Sequence, residues 1–219
     1  MKIKDFKFAV VIVLLQIVFS FIIGLSLPED AKVPSHWNFQ GEIDGWSGKW
    51  TAILLFPAVN LALLLLAVFF PALSPRFRSQ SERFRKVLPA LIGTLIFFFA
   101  IIHIYSLLLA KSDLLPGGNF ILIAMGLMFI FLGNLLPKVP SNFYVGVRVP
   151  WTLSSETVWR KTHRLAGWCF FSGGLLMILA GFSDSQSLII QVLLIFVFVL
   201  IIVPPVLYSF ISYKKERKK

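Results

Sequence analysis

The stretch FAVVIVLLQIVFSFIIGLSL, Phe8–Leu27, carries no charge, and Gln16 is its one amide. About 20 mainly apolar residues, rising 1.5 Å each, cross the ~30 Å hydrocarbon core of a bilayer. The stretch is therefore long enough to span a membrane. It follows a basic start, Met1–Lys7, as a signal peptide would. Its apolar run exceeds the roughly 7–15 residues of a secretory h-region and no A-x-A-like cleavage site follows, so it reads as a retained anchor.

Five more stretches of this kind lie downstream: Thr51–Pro71, Val87–Ala110, Asn119–Leu136, Arg164–Phe182 and Leu188–Tyr213. Together the six take up more than half of the 219 residues, which leaves no room for a large soluble domain. Composition agrees, with 58% apolar and 14% charged residues against about 25% charged in soluble domains. The expected fold is all-α: a polytopic integral membrane bundle of six transmembrane helices. Three segments follow: 1–71 with two spans and the loop 28–50, 72–136 with spans three and four, and 137–219 with a long loop, spans five and six and a basic tail. The single cysteine, Cys169, lies inside an apolar stretch and has no partner in the chain, which excludes a disulfide scaffold or a cysteine metal site.

Charge sorts by alternate loops. The N-terminus (Lys2, Lys4, Lys7), the second loop (Arg76, Arg78, Arg83, Arg85, Lys86), the fourth loop (Lys138, Arg148, Arg160, Lys161, Arg164) and the tail (Lys214, Lys215, Arg217, Lys218, Lys219) hold eighteen of the 21 cations. Lys32, Lys49 and Lys111 fall on the other side, as do six of the 10 acids: Glu29, Asp30, Glu42, Asp44, Asp113 and Asp184. Short cytoplasmic loops carry excess Lys and Arg, so both termini are expected in the cytoplasm. The net charge of +11 then reflects topology and anionic inner-leaflet lipid as a partner, with no direct nucleic-acid partner.

No Asp or Glu falls within an expected span. Coupled pumps usually place such groups at mid-membrane, which weighs against a coupled transporter. The intramembrane polar residues are Gln16, Asn60, His103 and Gln191, with Asn134 near the end of span four. Neutral polar side chains in lipid commonly hydrogen-bond a neighbouring helix; His103 has the further option of changing charge near neutral pH. Pro57, Pro89, Pro204 and Pro205 remove backbone donors within or beside spans, and Gly173, Gly174 and Gly181 allow close helix contact. No HExxH, GxSxG or phosphate-binding glycine loop is present, and nothing calls for a cofactor. The chain reads as a non-enzyme.

Two loops exceed what a connection needs. The first, PEDAKVPSHWNFQGEIDGWSGKW at Pro28–Trp50, is rich in aromatics and turn signals. Trp37, Phe39, Trp46 and Trp50 suit either an interfacial belt or a recognition surface in which aromatics alternate with acids. His36, Trp37, Asn38, Glu42, Asp44 and Trp46 are the candidate recognition residues. His36, Glu42 and Asp44 are also ligand-type residues, a weak metal signal. The second, PKVPSNFYVGVRVPWTLSSETVWRKTH at Pro137–His163, has three prolines that forbid a continuous helix. Tyr144–Val149 reads as an extended segment pivoting on Gly146. A short helix is expected after Trp151, capped by Ser154 or Ser155 with Glu156 in its first turn, lying along the inner surface before span five. Arg148 has three candidate roles: binding a phosphate headgroup, stacking on an indole, or capping free carbonyls.

PSHWNFQGEIDGW at Pro34–Trp46 and GNLLPKVPSNFYVGVRVPWTLSSETVWRKTHRLAGW at Gly133–Trp168 resemble the first-loop motif and the carboxyl-terminal signature of the SdpI family of bacterial membrane immunity proteins. On this resemblance Asn142, Gly146, Arg148, Pro150, Trp151, Thr152, Trp159 and His163 form the signature loop. Val147 and Val149 stand where family members usually show isoleucine and threonine, which leaves any hydrogen bond from the lost hydroxyl in doubt. The resemblance implies protection of the cell against a secreted membrane-active antimicrobial peptide, a multi-pass plasma-membrane location, and a peptide toxin as outer-face partner. In some members it also implies signalling, with a cytoplasmic repressor held on the inner face. The residues alone leave a small-solute transporter open as a third reading, and they are silent on oligomeric state.

Overall fold

The computed structural model describes residues 1–38, 41–73, 81–112, 119–183 and 187–218. Phe39, Arg76, Arg78, Asp113, Asp184 and Lys219 from the reading above lie outside them. Six long helices carry the fold: α1 (Lys7–Leu25), α2 (Lys49–Leu73), α3 (Ser81–Lys111), α4 (Asn119–Leu135), α6 (Glu156–Ala180) and α7 (Leu188–Glu216). A five-residue helix, α5 (Pro150–Ser154), precedes α6. All six long helices have the length and apolar character to cross a membrane, so the chain is an all-α polytopic bundle.

The helices run past the expected spans. α3 starts six residues before Val87, and α6 eight before Arg164. Hydropathy marks only the part of a helix in hydrocarbon, whereas the hydrogen-bond ladder continues wherever the backbone is unhindered. Glu82, Glu156 and Glu216 accordingly sit on polar helix ends. The helix expected to lie along the membrane surface is instead the first part of α6 itself: Ser155 caps it by accepting the Val158 N–H, and the helix then runs unbroken to Ala180. Val158, Trp159 and Ala166 are buried on its packed side, which ties this stretch to the bundle and not to the surface. Pro89, Pro204 and Pro205 lie inside continuous helices.

The bundle has two halves. In the first, α1, α2 and α3 pack around Phe6, Val13, Leu64, Phe84, Leu88 and Ile96. In the second, α6 lies between α4 and α7 over Phe129, Met177, Leu194 and Val197. α3 touches α4, and a third cluster of Val87, Leu91, Val139 and Trp159 joins the halves near one end. Lipid tails are as apolar as leucine, so helix contact here depends on close packing and polar links.

The first loop holds one departure from the expected all-α pattern. β1 (Lys32–Trp37) and β2 (Ile43–Gly48) form an antiparallel hairpin with Val33 opposite Ser47 and Trp37 opposite Ile43. Its root packs on Leu27, Ala52 and Leu107, so it caps the first half at the end opposite the long 136–155 loop. These are termed below the hairpin end and the signature end.

Candidate recognition hairpin and signature loop

The hairpin is fixed at its root and open at its outer face. Lys49, the first residue of α2, is only 5% exposed. Its ammonium donates to the Leu27 carbonyl at 2.8 Å and to Glu29 at 3.0 Å. The Trp50 indole donates to the other Glu29 oxygen at 3.1 Å. These two donors, Lys49 first, hold the Glu29 carboxyl below its usual range. On α3, the Ser106 hydroxyl donates to the Pro34 carbonyl, and Tyr105 stacks on Phe120 and contacts Trp37.

Side chains alternate across a strand, and β2 shows it: Asp44, Trp46 and Gly48 are exposed, as is Glu42 just before the strand, whereas Ile43, Gly45 and Ser47 face inward. Glu42, Asp44 and Trp46 thereby form one outward stripe. His36 Nδ1 lies 2.6 Å from Asp44. Glu42 accepts from the Asn38 amide at 3.0 Å, and its backbone N–H donates to Asn38 Oδ1 at 2.9 Å. The three ligand-type residues thus divide between two pairings, and no three such side chains converge among the described residues. Trp37 differs from Trp46. It is half-buried, and its indole N–H is buried without a protein partner among the described residues. It lines a cavity of about 300 Å³ under the hairpin tip, with His36, Asn38, Met125, Met177 and Phe198.

Three of the four intramembrane polar residues meet. Asn60 Nδ2 donates to Gln16 Oε1 at 2.7 Å and to the Ile96 carbonyl at 3.0 Å. That leaves the Gln16 amide nitrogen to donate to His103 Nδ1, 3.1 Å away. His103 therefore carries its proton on Nε2; its ring stacks on Phe56. All three residues are at most 2% exposed and tie α1, α2 and α3 together. Gln191 is elsewhere, in the first turn of α7. Interhelical hydrogen bonds in membranes are modest, averaging about 0.6 kcal/mol and reaching about 1.7. Asn60→Leu, which removes two of these bonds at similar volume, is expected to cost about 1 kcal/mol in unfolding measurements in mild detergent. A cost near zero would show the triad to be an incidental contact.

At the other end the signature residues knit one loop. Asn142, fully buried, donates to the carbonyls of Pro140 and Val145 and accepts the N–H groups of Tyr144 and Val145, all within 3.0 Å. Arg148 donates to the Phe143 carbonyl at 2.5 Å, a carbonyl-capping contact. Thr152 accepts the Val149 N–H at 3.1 Å and lies 2.8 Å from the Val147 carbonyl. Trp151, next to Pro150, donates to Ser209 on α7 and contacts Phe210. The Trp159 indole donates to the Val139 carbonyl at 2.9 Å. His163 accepts the Val147 N–H on Nε2 at 3.0 Å and donates from Nδ1 to the Trp159 carbonyl at 2.9 Å. One accepting and one donating nitrogen describe a neutral ring of fixed tautomer.

Comparison with known proteins places this geometry. The SdpI/YfhL protein family matches residues 138–209, a range that takes in the knitted loop, α5, α6 and most of α7. The chain is similar to SdpI-family proteins over that range. A domain of unknown function, DUF1648, matches residues 11–61, which hold most of α1, the hairpin and Gln16 and Asn60. A relative, the immunity protein SdpI of Bacillus subtilis (strain 168), is 21% identical over 209 residues, covering 94% of this chain and 95% of the relative. No solved structure matches. With its six apolar spans and these similarities, the chain is a multi-pass bacterial membrane protein.

The residue types flagged in the sequence thus separate into an exposed stripe on the hairpin, a buried triad in the first half, and a clasp at the signature end. Lys49, Glu29, Ser106 and Tyr105, which seat the hairpin, were not singled out. The spacing of Lys49 at the first turn of a span was their one available signal.

Proposed function

We propose that this protein is an immunity protein that protects its cell from a membrane-active peptide by binding it, without covalent chemistry. The supporting observation is near end-to-end similarity to a relative named as an immunity protein. We place recognition on the hairpin. Glu42, Asp44 and the 54%-exposed Trp46 form a stripe suited to a cationic, amphipathic peptide, since aromatic anchors beside charges dominate recognition energetics. The cavity below, with a Trp37 indole N–H that has no partner among the described residues and a floor of Met125, Met177 and Phe198, accepts an apolar side chain. The excess of Lys and Arg at the signature end supports a cytoplasmic position for that end and an outer one for the hairpin.

The test is survival of a sensitive strain expressing the protein and challenged with membrane-active peptides. Trp46→Ala leaves the buried packing untouched and is expected to lower the tolerated peptide concentration about ten-fold, as a hot-spot truncation of at least 1.4 kcal/mol would. Unchanged tolerance would remove the hairpin stripe from recognition. In the same cells, with Cys169 replaced by Ser, an impermeant thiol reagent should label Gly48→Cys and spare Lys161→Cys; the opposite pattern would invert the assigned sidedness.

A further inference from the structure

The crossing of α4 and α6 leaves a groove of about 590 Å³ on its flank, lined among others by Phe131, Gly133, Lys138, Arg164, Trp168 and Phe171. At 1.5 Å per residue, Trp168 lies about 6 Å deeper along α6 than Arg164, and Phe171 about 10 Å deeper. Phe131, on the antiparallel α4, lies seven residues before Lys138 in the turn that follows that helix and so reaches a similar depth. The groove is therefore graded: cations at the mouth, an indole one turn in, phenyl rings at two turns. Trp168, Phe131 and Phe171 are 65%, 57% and 42% exposed on span surfaces, where the surrounding medium is lipid.

Among the described residues the two cations have no acidic partner. Ion pairs among the described residues are His36–Asp44, Lys49–Glu29 and Arg83–Glu156. The contact of Lys138 is with the neutral Asn134 Oδ1 at 3.3 Å. Positive charge at the interface, aromatics at headgroup depth and an apolar channel below match the order of groups along a phospholipid. A second copy packed symmetrically on this face would bring like charges together.

We infer that the α4–α6 groove binds one anionic phospholipid, its phosphate held by Lys138 and Arg164, its ester region against Trp168, and an acyl chain between Phe131 and Phe171. The apolar lower part separates such a lipid from a free anion, which would use only the mouth.

The test uses the full chain in neutral detergent micelles, with tryptophan fluorescence quenched by phosphatidylglycerol or phosphatidylcholine bearing brominated chains. Phosphatidylglycerol is expected to quench at lower concentration, and Trp168→Phe to remove that excess. Lys138→Gln with Arg164→Gln should weaken phosphatidylglycerol binding about 10- to 30-fold. Lys2→Gln with Lys4→Gln, an equal charge loss at the exposed N-terminus, should leave it unchanged. Equal quenching by the two lipids in the native chain, or an excess that survives the groove double variant, would overturn the assignment. So would displacement of the lipid by inorganic phosphate where chloride of the same ionic strength has no effect, which would identify a free-anion site.

Discussion

Gly146→Ala is expected to destabilise the protein by about 3–5 kcal/mol and to leave little folded material in mild detergent. Gly146 has φ of +116°, a conformation that costs a residue with a side chain about 1–3 kcal/mol. A Cβ there would also land on His163 Nε2. That ring has nowhere to retreat: it is fully buried, its other nitrogen is bonded to the Trp159 carbonyl, and it stacks on Trp159 at 3.9 Å. Moving it strands the Val147 N–H and the Nε2 acceptor, a further loss of about 1–3 kcal/mol. Both losses fall on a total stability of only about 5–15 kcal/mol. The two causes separate in a double-mutant cycle. With His163→Ala in place the overlap is gone, and Gly146→Ala should cost only its backbone share, about 1–3 kcal/mol. Thermal unfolding followed by loss of monodisperse protein reads both. A Gly146→Ala protein that melts with the native one, or strictly additive costs, would remove His163 as the reason for this glycine.

The loop matters beyond its own residues because it clasps the two halves. Trp159 is bonded to Val139 and packed on Val87 and Leu91 of α3, Trp151 is bonded to Ser209 of α7, and Ser155 donates to Glu216 at 2.6 Å. A distortion at Gly146 therefore reaches α3, α6 and α7 together. The structure also answers what Val149 lacks. It is the N-cap residue of α5, where a threonine hydroxyl would accept a backbone N–H. Thr152 instead reaches back to the Val149 N–H, which satisfies one end of the turn without it.

The spans were legible because crossing hydrocarbon imposes a length and a composition on each, and nothing tertiary is needed to see either. Helix ends were not, since Glu82, Glu156 and Glu216 carry polar character onto helices that simply continue. The hairpin was obscured for another reason. Glycine favours turns over strands, yet Gly45 and Gly48 lie within a strand whose partner and seat on α3 supply what local propensity does not. The alternation of Glu42, Asp44 and Trp46 was the period-2 signal available. At the signature loop the sequence left Arg148 with three roles, because which carbonyl lies within its reach depends on how Asn142 folds the chain. That Gln16, Asn60 and His103 meet follows from helix rotation, which no single span reveals.

The same dependence on helix faces gives the second large effect, at the α4–α6 crossing. A Cβ on Gly174 would sit 2.5 Å from the Gly126 carbonyl and 2.9 Å from the Ile130 nitrogen; one on Gly133 would meet the Gly167 carbonyl and the Phe171 nitrogen, each at 2.7 Å. These neighbours are backbone and cannot rotate aside, so the helices must part. Opening a packed contact by 0.5–1 Å forfeits about a quarter to a half of its dispersion energy, and between membrane helices no hydrophobic drive compensates. Gly174→Leu is expected to cost about 2–4 kcal/mol. Adjacent Gly173 provides the contrast. Its Cβ would meet only the Val197 and Ile201 side chains, at 3.1 and 3.2 Å, which can shift, so Gly173→Ala should cost under about 1 kcal/mol. Gly48→Ala, with nothing within 4 Å, should cost nothing. Unfolding of the four proteins by titration with a denaturing detergent orders them. If Gly174→Leu proves no more costly than Gly173→Ala, backbone approach does not hold α4 to α6. If the order stands, Gly174→Leu should also weaken protection, because Met125 on α4 and Met177 on α6 form the floor of the cavity under Trp37 and would be drawn apart with their helices.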